Sequence, residues 1–120
     1  MSDEFLRVAT KEVSDDIAEI GNVLKKCQND NDLSKVATDV EKHVHKLKGL
    51  APMMGQEQIG EISILVDKLL KSIMAGKAVP GIYSTVKDSY EVMSRLINNE
   101  HVDFASLKSA IEKNHAHFLH

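Results

Sequence analysis

Residues 33–55 read LSKVATDVEKHVHKLKGLAPMMG. Leu33, Val36, Val40, Val44, Leu47 and Ala51 recur at steps of three and four, the period of one helix face. On a wheel turning about 100° per residue, Val40, Val44, Leu47 and Ala51 fall within about 80° of Val36. His43 lies about 20° to the other side, inside the apolar stripe, and is expected to be partly buried with a hydrogen-bond partner. His45 falls near 180°, away from the stripe, and should meet water. Gly55 is the expected helix stop.

The same period extends to both sides of this segment. Upstream, Phe5, Leu6, Ala9, Val13, Ile17, Ile20 and Leu24 form a stripe over Asp3 to Cys27. Asn29 to Asp32 is a polar turn, with Asn31 the expected N-cap of the second helix. Downstream, a third helix from Gln56 to Gly76 carries Ile59, Ile62, Val66, Leu69, Leu70 and Ile73. A fourth starts near Pro80, a good first-turn residue, and carries Ile82, Val86, Met93 and Ile97. A fifth starts near Asp103, another candidate N-cap, and carries Phe104, Leu107 and Ile111. No stretch alternates with a two-residue period, so no strand is predicted. Five helices joined by short loops predict an all-α antiparallel up-down four-helix bundle with an additional fifth C-terminal helix.

Composition limits what such a bundle does. With 120 residues, 42% of them hydrophobic and 28% charged, residues 1–120 read as a single ordered domain. A net charge of -3 offers no basic excess for a phosphate backbone, which disfavours nucleic acid as a partner. Aromatics at 4%, with no Trp, are thin for base stacking or a sugar platform. The single cysteine, Cys27, can form no intrachain disulfide and close no Cys-based zinc site. The acidic start, Ser2-Asp3-Glu4, lacks the basic segment of a signal peptide, and the apolar run Ile62 to Val66 is far too short to cross a bilayer. A cytoplasmic protein is expected.

The chemistry gathers around His45. Lys48 and Gly49 stand at i+3 and i+4, adjacent to it on the helix surface. A mid-helix glycine costs about 0.5–1 kcal/mol relative to alanine, and here it leaves bare space beside an exposed imidazole. An accessible imidazole, an open backbone patch and a cation together suit a phosphoryl group on the ring. On the third helix, Gly60, Ile64, Asp67 and Lys71 share a stripe at the edge of the apolar face, a candidate docking surface together with Gly49. The plainer alternative is an Asp67–Lys71 surface ion pair beside an ordinary exposed Ile64.

The run from His45 through Lys48-Gly49 to Gly55 resembles the signature of histidine phosphotransfer (HPt) domains, H-x-L-K-G followed six residues later by a second glycine. The resemblance is closest to the N-terminal phosphoacceptor domain of chemotaxis histidine kinases. It implies that His45 is the phosphoacceptor and Lys48 its electrostatic partner. In those domains a glutamate on the third helix bonds the histidine ring; Asp67 stands at that position here. Being one methylene shorter, Asp67 calls for a bridging water or a small helix shift. Pro52 departs from the family, which usually has a small residue there. A proline removes an N–H and crowds the carbonyl of Lys48, so the helix is expected to kink or end early.

The implied function is a phosphorelay module. A histidine kinase with ATP phosphorylates His45, and the group passes to an aspartate of a response-regulator receiver domain. The chain has no Gly-rich nucleotide loop and no magnesium-binding carboxylate cluster, so neither ATP nor a metal is expected to bind it. It would act as a monomeric carrier, either alone or as the first domain of a larger kinase. An alternative is a non-phosphorylated helical adaptor using the same face. A di-metal carboxylate bundle needs several inward Glu-x-x-His pairs, and only Glu112…His115 matches. The His115–His120 end is expected to fray.

Overall fold

A computed structural model describes residues 2–120. These form seven helices and no strand: α1 (Asp3–Leu24), α2 (Asp30–Lys35), α3 (Ala37–Met53), α4 (Glu57–Met74), α5 (Ile82–Ile97), α6 (Phe104–Asn114) and α7 (Ala116–Leu119). The expected all-α character is found, with two more helices than predicted. Both extra elements arise where a predicted helix breaks.

The first break is at Val36, whose backbone (φ -115°, ψ 14°) leaves the helical region and separates α2 from α3. Asn29, not Asn31, caps α2: its side-chain oxygen accepts from the Asp32 N–H at 2.9 Å, and Asp32 reciprocates toward the Gln28 N–H at 2.9 Å. Leu33 anchors this short helix in the core. The second break is at His115. The chain end does not fray as expected: His115 is buried, its Nε2 lies 2.7 Å from Thr85 Oγ1, and Phe118 and Leu119 pack against the core. Burial lowers the pKa of His115, with Asp30 acting weakly in the opposite sense.

The apolar stripes do most of the packing. α3 lies along α4, α1 packs on α3 and α5, and α4 also packs on α5. Val13, Ile17 and Ile20 of α1 meet Val40, Val44 and Leu47 of α3 and Ile62, Val66 and Leu69 of α4 in one core. The stripe of α1 starts later than predicted. None of residues 2–8 is buried, and Phe5 (43% exposed) and Leu6 have no helix to cover them. α5 starts at Ile82 after Gly81, and its cap comes from elsewhere in the chain: the Asp30 carboxylate accepts from the N–H groups of Gly81 and Tyr83, each at 2.8 Å. Among the described residues no helix is long and apolar enough to cross a membrane.

Pro52 neither truncates α3 at once nor stands idle. The helix runs one residue past it and closes at Gly55 (φ 78°), where the Gln56 N–H reaches the Ala51 carbonyl at 2.9 Å in a Schellman closure. The proline ring lies on Gly60 of α4: a Cβ there would sit 2.6 Å from Pro52 Cγ. Gly60 is therefore buried packing space rather than exposed docking surface. We expect Gly60→Ala to lower stability by about 1–2 kcal/mol despite its better helix propensity, because a rigid ring must move. Adding Pro52→Ala should recover that loss. Denaturant unfolding of the two single variants and the double variant measures the coupling.

Candidate functional site

The site is assembled on the α3–α4 seam. His45 projects from α3 with 57% of its side chain exposed. Its Nδ1 stands 3.9 Å from Asp67 Oδ2 and 4.0 Å from Glu41 Oε1, close enough for charge to act but too far for a hydrogen bond. Asp67 is not at the surface, as an ordinary ion pair with Lys71 would have it. It is 2% exposed, and one of its oxygens, Oδ2, holds Lys48 Nζ at 2.9 Å and Lys71 Nζ at 2.8 Å. Burial pushes the Asp67 carboxyl pKa up, but the hydrogen bonds and charges of Lys71 and Lys48 outweigh it and hold it below the ordinary value. The other oxygen, Oδ1, is buried with no partner within the protein.

Why the sequence folds this way locally is clear from the periods. Asp67 follows Val66 and precedes Leu69 and Leu70, so the burial of its neighbours draws the carboxylate inward. Lys48 and Lys71 are long enough to keep their stems on the protein and bring their ammonium groups to it. One buried carboxylate thus anchors a lysine from each helix within reach of the imidazole. Gly49 meets nothing within 4 Å of where a Cβ would be, so the open patch beside His45 is present as predicted. Ile64 (41% exposed) on α4 and Met53 on α3 are exposed apolar side chains.

Glu41 is the member that the sequence reading missed. Its signal was available: it stands at i-4 from His45 on the same helix face. Ligand atoms of Glu41, His45 and Asp67 lie within 4.8 Å of one another, a spacing a cation could bridge. Two ammonium groups already on Asp67 Oδ2 oppose a dication there.

On the other flank of α3, His43 is 16% exposed at its side chain, and its Nδ1 lies 2.9 Å from Asp16 Oδ1 of α1. The expectation of a partly buried histidine with a hydrogen-bond partner therefore holds. Lys46 reaches the same Asp16 oxygen at 3.2 Å. No family model, curated protein or solved structure matches the chain.

Proposed function

We propose that the chain is a histidine phosphotransfer module, with α1, α3, α4 and α5 as an antiparallel up-down four-helix bundle and α6 and α7 appended. The observation that carries this reading is the exposed His45 beside a bare Gly49, with two lysines held at one buried carboxylate behind it. An adaptor surface requires none of these features together.

In the proposed step a kinase presents ATP. The Nε2 lone pair of neutral His45 attacks the γ-phosphorus, the bond to the bridging oxygen breaks, and ADP leaves with that electron pair. The proton stays on Nδ1, which faces the negative charge of Asp67 and Glu41. Lys48 and Lys71 can swing from Asp67 toward the phosphoryl oxygens, the electrostatic role that phosphoryl transfer requires. In the second step a receiver aspartate attacks phosphorus and the imidazole leaves as a neutral ring. The kinase supplies ATP and the receiver its metal ion. Gly49, Ile64 and Lys71 form the face that both partners would approach, and a cytoplasmic setting follows from the need for ATP.

Incubating the protein with a panel of histidine kinases and ATP tests the reading. Acid-labile, base-stable phosphate on His45 is the expected result, and its absence across the panel counts against the assignment. Access is tested separately. Gly49→Leu fills the open patch while favouring the helix by roughly 0.7–1 kcal/mol. Stability should hold or rise, and transfer to a receiver should fall by about tenfold or more. Unchanged transfer would show that no partner approaches across Gly49.

A further inference from the structure

Helix α3 carries its imidazole–lysine pair twice. His45 and Lys48 stand i, i+3 apart, and so do His43 and Lys46, two positions earlier and on the opposite flank. Each pair meets a buried aspartate from the neighbouring helix, Asp67 of α4 on one side and Asp16 of α1 on the other. The two aspartates share one feature. One oxygen of each takes the lysine, and the other is buried with no hydrogen-bond partner in the protein. A half-satisfied buried carboxylate is costly to a fold and calls for a reason.

The two flanks differ where it matters for reactivity. The Nδ1 of His45 stands 3.9 Å from its aspartate, whereas that of His43 is hydrogen-bonded at 2.9 Å. With Asp16 ionised, that bond puts the ring proton on Nδ1 and the lone pair on Nε2. We propose that His43 is a second phosphoacceptor, taking a phosphoryl group on Nε2 from a small donor of the phosphoramidate class. The His43 side chain is 16% exposed, so a small donor suits it and the face of another domain does not.

The step balances without further reagents. The Nε2 lone pair attacks phosphorus, the P–N bond of the donor breaks, and ammonia departs with its electron pair from the N-protonated donor. The ring becomes a phosphoimidazolium that keeps its Nδ1 proton. The cation so formed lies against Asp16, whose Oδ1 holds the Nδ1 proton. Lys46, with Nζ 3.2 Å from Asp16 and about half exposed, is free to turn to the phosphoryl oxygens. Among the described residues Glu12 is the other carboxylate at this cluster, and it faces Lys46 Nζ at 3.7 Å.

The test treats the intact protein with phosphoramidate and reads site-resolved rates by mass spectrometry, with exposed His101 and His117 as internal references. His43 should react at least about tenfold faster than either. A rate no greater than theirs overturns the proposal, and this readout needs no variant. Asp16→Asn should bring His43 down to the reference rate and leave His45 unchanged, with Asp16→Glu retaining part of the enhancement. An undiminished His43 rate in folded Asp16→Asn would show that Asp16 does not activate the ring and would also overturn it. No kinase is involved, so the outcome is separate from whether a kinase phosphorylates His45.

Discussion

His45→Gln is expected to bring kinase-dependent phosphorylation down to background while changing unfolding free energy by no more than about 0.5 kcal/mol. Both halves follow from the same geometry. The ring is largely exposed and makes no hydrogen bond, so the fold does not depend on it. The nucleophile, by contrast, has no substitute on that face: His43 lies on the opposite flank, pinned to Asp16. The companion variant His43→Gln should behave in the opposite way. It removes the hydrogen bond that the ring donates to the buried Asp16 carboxylate and should cost about 1–3 kcal/mol, with kinase-dependent phosphate still arriving at His45. Radiolabelled phosphate transfer and thermal melts on the two variants check the pair. Phosphate retained in His45→Gln at the wild-type rate would remove His45 from its proposed role.

Asp67→Asn should lower stability more than His45→Gln does, and its pH dependence identifies the cause. At pH 7 the change leaves Lys48 and Lys71 without a charged acceptor, a loss of about 1–3 kcal/mol. The folded carboxyl has the lower pKa, so on acidification the unfolded chain binds the proton first. The contribution of Asp67 is thus complete above the ordinary carboxylate value of about 3.9 and is lost as pH falls through the folded value. Wild type should therefore keep its advantage over Asp67→Asn down to about pH 4 and lose it progressively below that, and melting curves from neutral pH into the acid range measure this. Equal stability at pH 7 would show the cluster to be energetically idle. Phosphorylation should slow by about tenfold, because the lysines lose their common anchor. Asp67→Glu extends the carboxylate by roughly one C–C bond, ~1.5 Å, enough to bring the 3.9 Å gap to His45 into hydrogen-bond range. Phosphorylation equal to or faster than wild type is expected of it.

Much of the site could be read from local spacing. His45, Lys48 and Gly49 lie within five residues on one helix, where a 100° turn per residue decides who neighbours whom. The same wheel put His43 in the apolar stripe, and it is indeed mostly buried. Asp67 was harder. Its position on the stripe was legible, but the wheel placed it at the margin, whereas it is buried and bonded to two lysines. Lys48 lies nineteen residues from Asp67, and no period within one helix reports a contact across two.

Helical period, caps and the absence of alternation determined by themselves that this chain is all-helical and where most helices run, because those signals act over three or four residues. Asp103 at the start of α6 shows how local that information is: its carboxylate caps the Ser106 N–H three positions on. Tertiary structure alone decided the rest. It set Asp30 as a cap for α5 across about fifty residues of chain, seated Pro52 on Gly60, and folded His115 inward against Thr85. It also chose Asp16 and Asp67 as the partners of the two lysine–histidine pairs. Each of these depends on which helix faces flank which. That is settled by burying the summed apolar surface of the elements together, a property no single segment carries.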